Sequence, residues 1–561
     1  MKAIYNKAFA LGLVLMMSCT SDFNELNQRP GAVTADEASG RYFLTNPQFN
    51  LFAPNRYPYW RGPLIHGDRY AGHFCFGFEG SWWTDELGYA YHGEYTNATW
   101  DWLESYLRDL DNYLDLTATG GDFENEKMHA VGLILKGLYY QKYTDIFGEI
   151  PYKQAGNPDI ITPKFDTQKD IYVGILDQLD EAMTLIGEAT NTGNAIEDLA
   201  DNDLYYGGDL QRWKRLANTL KLRIALRAYG ASGADFANGA ITEALANPLI
   251  ETQDESALLI KDQVISQWGS AAYGDVWHNF GLGSNWTVSK TLIDYLRDNN
   301  DPRLGKYAVP ADGGTFTIPK PENGAEQKAL DLMLTNLDDA GVPYTTSEVE
   351  VDGETKIEVV MPENIHYVGQ PSRLNLTSYY FANYSFFSKP AEIITKAKNS
   401  GEIFPELILT SAEAYFLRAE AAVRGFGGGD ANTLYQEGIR QGMLLWEVAE
   451  EDITEFLINS AIATLSGTTD DMLEQISVQR WIADYTDGFE AWAVVRKSGY
   501  PADVADGVDD SDIYGYGEIN GVYPQRMRYG SNARNTNGTN LDEAISRQGP
   551  DQQDIPLWFT K

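Results

Sequence analysis

Apolar residues recur at intervals of three and four along two long blocks of this chain, and that spacing limits what it can fold into more than any single motif does. Leu103, Leu107, Leu110 and Leu114 share one face, and Val131, Leu135 and Leu138 the next. Ile171, Ile175, Leu179, Met183 and Ile186 make a third stripe behind Asp166-Thr167 as a cap, and Trp213, Leu216, Leu220 and Ile224 a fourth. The pattern resumes at Tyr435, Ile439, Gly442 and Trp446, where a glycine on the inner face predicts the close approach of a partner helix. The spacing predicts a mainly α protein built as a tetratricopeptide-like stack of helix pairs, although no strict 34-residue signature repeats. The frame falls mainly in residues 98–250 and 405–500. Between them, residues 250–405 carry Gly and Pro punctuation and short β-type runs such as "TKIEVVM", and read as a loop-rich insertion within one domain spanning 41–561.

With 43 basic against 81 acidic residues the formal net charge is -38, and no compact Lys/Arg patch offsets it, which argues against nucleic acid and anionic lipid as partners. The first residues, M-K-A-I-Y-N-K followed by "AFALGLVLMM" and Ser18-Cys19, read as an export signal over 1–18. A cysteine directly after such a run resembles the bacterial lipoprotein signal, so Cys19 is the expected lipidation site and 19–40 the tether. An ordinary secretory peptide with an incidental cysteine is the alternative. Cys75 is the one other cysteine, expected in the core, so no internal disulfide is available once Cys19 is lipidated. No later stretch approaches the length of a membrane span, leaving the lipid as the expected attachment.

Thirteen tryptophans and 34 tyrosines are the residues to account for next. Trp213, Trp446, Trp481 and Trp492 lie on helical stripes and read as core. Trp82, Trp83, Trp268, Trp277 and Trp286 lie in Gly/Ser/Asn-rich sequence such as "EGSWWTDELGYAYHGEY", without the periodicity that buries an indole. An indole face covers the C–H face of a pyranose and leaves its hydroxyls free, so these five are candidate glycan contacts. His278, Asp68, Asp85 and Asn285 accompany them as hydrogen-bonding candidates. Each indole equally fits a seal between loop and helical frame. Few basic residues lie near them (Arg61, Arg69, Lys261, Lys290), which favours a neutral polysaccharide over an anionic one.

Several motifs run in order along nearly the whole chain: "TDIFGEIPYKQA" (144–155), "LYYGGDLQRWKRLANTLKLRIALR" (204–227), "DPRL" (301–304), "TSAEAYFLRAEAAVRGFG" (410–427), "DGFEAWAVVRKSGYP" (487–501), then "YPQRMRYGSN" and "DIPLWF". Together they resemble the SusD/RagB family, with Arg496-Lys497-Ser498-Gly499-Tyr500-Pro501 standing where the family usually has RRTGYP. The resemblance implies four tetratricopeptide-like helix pairs with a loop-rich second half, lipid anchoring on the outer face of the outer membrane of Bacteroidetes, and partnership with a SusC-like TonB-dependent transporter. It implies capture and delivery of a polysaccharide or oligosaccharide, without chemistry or a cofactor. Among neutral glycans a β-glucan is favoured over starch.

Two rival classes use the same composition. A secreted glycoside hydrolase on an α-helical toroid needs two carboxyls at a working separation, and Asp85 and Glu86 are adjacent residues that point apart. No G-x-S-x-G, H-E-x-x-H or phosphate-loop pattern occurs, and His66, His73, Cys75 and His92 lack metal-site spacing. A peptide-binding relative of the same fold would use the same loops on other cargo. The acidic run "ADVADGVDDSDIYGYGE" (502–518) fails the calcium-loop pattern with glycine at its sixth position and reads as a solvated loop, so no metal is expected.

Overall fold

Helix starts are written into the chain by short polar caps. Asn125, Thr167, Asp209 and Thr410 each accept a hydrogen bond from a backbone N–H of the first turn that follows, satisfying donors that helix geometry leaves unpaired. The computed structural model describes residues 38–76, 89–261, 273, 274, 277, 286–396 and 403–561. In chain order, β1 (Phe74–Phe76) precedes α1 (Gly93–Thr117), α2 (Glu126–Phe147), α3 (Gln168–Ile186) and α4 (Leu210–Ala228). The middle holds β2 (Ala257–Leu259), β3 (Trp286–Val288), α5 (Lys290–Asp298), β4 (Gly314–Pro319), α6 (Gly324–Asp339), β5 (Thr345–Val351), β6 (Glu354–Met361) and β7 (Glu406–Leu409). The last block holds α7 (Ser411–Val423), α8 (Ala431–Leu445), α9 (Thr469–Ala483) and α10 (Gly488–Ser498). Four successive pairs result, α1 with α2, α3 with α4, α7 with α8 and α9 with α10.

The stripes explain why these helices pair. Leu103, Leu110, Val131, Leu135, Ile171, Ile175, Leu179, Trp213, Leu216 and Leu220 have no exposed surface. Gly442 does lie where a neighbour comes close: a Cβ there would sit 3.6 Å from the Ala412 Cβ of α7 and 3.7 Å from that of Ala483 in α9. The first and last blocks are then tied by buried charge. Arg223 of α4 donates to Glu413 of α7 at 2.8 Å, and Arg227 donates to Asp145 of α2 and Glu490 of α10. Arg480 of α9 donates to Glu413 at 2.6 Å and to Glu490 at 2.7 Å. Burial alone would raise the Glu490 carboxyl, but Arg223, Arg227 and Arg480 hold it well below the usual carboxylate range. Beside this network a cavity of about 20 Å³, lined by Arg223, Asp487 and Glu490 among others, has room for a water and no more.

The middle region is less irregular than its composition suggests. β6 contains the "KIEVVM" run and pairs on both sides, with β4 through Thr317↔Glu358 and with β5 through Ser347↔Glu358. The sequence reading missed α6. It is capped by Asn323 and buries Ala329, Leu330, Met333 and Leu337 in a second core with Ile318, Val359, Met361 and Phe386. Leu332 and Leu334 lie beside those four in sequence and make the stripe hard to separate from a short apolar run.

Candidate functional site

β1 and β3 are only three residues each, yet they decide which remote segments meet. They pair antiparallel as Phe74↔Val288, Cys75↔Thr287 and Phe76↔Trp286. Phe76, the residue before 77–88 with its Trp82 and Trp83, is therefore directly opposite Trp286, the residue after 278–285. Trp277 is half-buried and stacks on Trp286 at 5.8 Å and 25°, and Tyr273 stacks on Trp286 at 5.6 Å and 27°. The Tyr273 hydroxyl lies 3.0 Å from Asp68 Oδ2 and 2.9 Å from the Thr486 carbonyl. Burial pushes the Asp68 carboxyl well above its ordinary range, against the hydrogen bond that the Tyr273 hydroxyl donates to it.

Past the Phe74↔Val288 end of this ladder, at Gly72 and Lys290, opens a groove of about 670 Å³. One wall is α5, which turns Leu292, Ile293 and Leu296 inward and leaves Lys290, Asp294, Tyr295 and Asp298 on the groove side. Facing it are Glu474 and Val478 of α9, the stretch 501–509 and Tyr514. The floor is Gly72, Tyr89, Arg373 and Tyr523. Gly72 has φ +75°, and a Cβ there would press on Val504 at 2.7 Å, so the position needs glycine on both counts. Arg373 lies 4.2 Å over the Tyr89 ring and donates to the Gly521 carbonyl at 2.9 Å. Five carboxylates (Asp294, Asp298, Glu474, Asp503, Asp509) against Lys290 and Arg373 make the groove repel anions and accept hydrogen bonds from hydroxyls. Tyr295 and Tyr514 supply partly exposed rings among them.

The nine candidate contacts divide three ways. Trp82, Trp83, Asp85, Trp268, His278 and Asn285 lie outside the described residues, as do Cys19 and the export signal. Trp277 stands at the ladder with part of its surface exposed. Two expectations are corrected: Asp68 and Trp286 have no exposed surface and present nothing to a ligand. Trp286 is closed in by Tyr273, Trp277 and Phe74, the last at 5.6 Å. Asp68 is locked because Gly67 and Gly488 bring two backbones together, and a Cβ on Gly488 would collide with the Asp68 nitrogen. The four indoles assigned to helical stripes are buried, and so is Cys75. The groove tyrosines were missed, although the 290–298 stripe, read as a helix, puts Tyr295 and both aspartates opposite its apolar face. Among the described residues no His, Cys, Asp and Glu group is placed to hold a metal ion, and no helix is long and apolar enough to cross a membrane.

Comparison with known proteins gives the following. A family profile named SusD-like and described as "Starch-binding associating with outer membrane" matches residues 66–322 and 353–530. No curated protein sequence matches. Among solved structures, one named "chitin-binding protein" is 26% identical with a TM-score of 0.69, covering 93% of this chain and 99% of its own. A SusD homologue from Bacteroides uniformis is 22% identical with a TM-score of 0.68 over 93% and 99%. A SusD-like protein of Bacteroidetes is 20% identical with a TM-score of 0.69 over 93% and 100%.

Proposed function

We propose that this chain, which belongs to the SusD-like family of starch-binding proteins that associate with the outer membrane, captures a neutral, β-linked polysaccharide and passes it to a SusC-like TonB-dependent transporter. Glycan binding and outer-membrane association are what the family carries; the β-linkage, the transporter and the stacking residues are the proposal. The observation that supports it most is the Phe76↔Trp286 register, adjoining in sequence the two tryptophan-bearing stretches, on a ladder whose other end leads through Gly72 and Lys290 into an acidic, tyrosine-lined groove. Trp82, Trp83 and Trp268 would stack on sugar rings together with Trp277, while His278, Asp85 and Asn285 would hydrogen-bond hydroxyls. Three of these four rings stacked at once, at about 0.5 to 1.5 kcal/mol each beyond burial, with a few hydrogen bonds, reach the roughly 4 to 8 kcal/mol of millimolar to micromolar affinity. Weak capture suits a protein that must hand its cargo on.

A β-glucan is the favoured cargo, and a second β-linked neutral polymer enters because the 26% identical structure is named a chitin-binding protein. In the proposed cell-surface form Cys19 carries the lipid, and neither enzyme chemistry nor a cofactor is invoked. The test uses the lipid-free chain on native gels containing laminarin-type β-glucan, soluble chitin derivative, starch or a sulfated polysaccharide. Retardation by a β-linked neutral polymer with no release of reducing ends is expected. Cleavage abolished by Asp85→Ala or Glu86→Ala would instead support the hydrolase reading, and binding of peptides alone the peptide-carrier reading.

A further inference from the structure

The family profile breaks over residues 323–352, which hold the Asn323 cap, α6 and β5. That stretch is not a surface ornament. Its apolar side completes the second core, and its polar side reaches three segments that line or adjoin the groove. Lys328 donates to Asp510 at 3.1 Å and to Asp512 at 2.7 Å, between the groove residues Asp509 and Tyr514. Asp339 pairs with Lys290 of the groove wall at 3.2 Å. Asn336, buried, donates to the Gly369 carbonyl at 2.8 Å, two residues before Pro371-Ser372-Arg373 on the groove surface. The opposing wall, Glu474 and Val478 of α9, belongs to the part of the chain that the profile matches.

We infer that segment 323–352 is a specificity element: by fixing Asp509–Tyr514, Pro371–Arg373 and Lys290 from behind, it sets the groove width against the α9 wall and so decides which glycan geometry fits. None of its residues lines the groove, so it acts by positioning. The inference rests on the reading of the groove as a glycan site. Linkage discrimination by a shaped wall is a difference of affinities, and it shifts when the wall moves even if the contacting residues are unchanged.

The test is calorimetry on the lipid-free chain with hexasaccharides of β-1,3-glucose, β-1,4-N-acetylglucosamine and α-1,4-glucose. Lys328 is half exposed, so Lys328→Glu sets a negative charge against Asp510 and Asp512 without disturbing a core. We expect Lys328→Glu to weaken the best-bound hexasaccharide by about fivefold, the upper range for an exposed ion pair. The ratios among the three sugars should also change, with a single cooperative unfolding transition retained. Adding Asp510→Lys and Asp512→Lys to Lys328→Glu should restore both. Tyr295→Ala, on the groove wall itself, is the control for the underlying reading. If Tyr295→Ala weakens binding while Lys328→Glu leaves affinities and ratios unchanged, the groove binds glycan and the specificity role is wrong. If neither variant changes anything, or none of the three sugars binds, the groove reading fails and the inference falls with it.

Discussion

Trp277 and Trp286 are nine positions apart and differ in their access to water, and that difference is the residue-scale content of the site. Trp286 has no exposed surface and serves as the plate on which Trp277 rests, so only the outer ring is available to a sugar. Trp277→Ala should weaken glycan binding by about 0.5 to 1.5 kcal/mol, read as a twofold to roughly tenfold rise in Kd by calorimetry. A Kd unchanged in Trp277→Ala would remove this residue from the contact surface. Titratable groups near the ladder carry a second prediction. Burial pushes the half-buried Asp487 carboxyl up to about 6, against the pull of Lys142. The folded chain therefore holds this proton more tightly than the unfolded chain does. Stability from that source is complete below the ordinary carboxylate pKa near 4 and is lost as pH rises through 6. Asp487→Asn removes the loss, so its urea unfolding free energy should gain on the wild type by on the order of 1 to 3 kcal/mol between pH 4 and pH 7. A constant difference across that range would contradict the assignment.

At the scale of elements, the helix pairs are joined by ion pairs that are out of water, and such pairs behave asymmetrically when one partner is removed. Glu490 accepts from both Arg227 and Arg480, and all three are buried. Glu490→Gln should cost about 3 to 5 kcal/mol, measured by chemical unfolding, because Arg223, Arg227 and Arg480 then lose a buried counter-charge. A loss under 1 kcal/mol would mean that the network is not what couples the two helical blocks. These elements also show where sequence is readable. Stripes such as Ile171, Ile175 and Leu179 identify their helices because apolar positions repeat over many turns and Thr167 marks the start. The sequence pattern conceals α6, where extra leucines blur the stripe, and β1 and β3, three residues each, carry no period at all. Asp68 looked available because its neighbours are polar and glycine-rich. The same glycines, Gly67 and Gly488, are what bring two backbones close enough to bury it.

Over the whole molecule, acidic charge, paired helices and an acidic groove are the features on which the proposed carriage of a neutral sugar rests. The ordered motifs were enough to indicate the family, since each marks a helix end or core position that the frame requires. The groove was not legible, because its lining comes from residues 72, 89, 290–299, 371–373, 474–478 and 501–523, and only folding assembles them. Salt should affect the interaction little: a neutral cargo releases no counterions, so raising NaCl from 50 to 500 mM should shift Kd by less than about twofold, against the steep dependence of polyanion binding. The most direct single measurement is calorimetric titration of the lipid-free wild-type chain and its Trp82→Ala/Trp83→Ala double variant with a β-linked hexasaccharide. Micromolar to millimolar binding by the wild type, lost or weakened at least tenfold in the variant, is the predicted result. Equal affinity in both, or heat from neither, would contradict capture of sugar by indoles rooted at the Phe76↔Trp286 ladder.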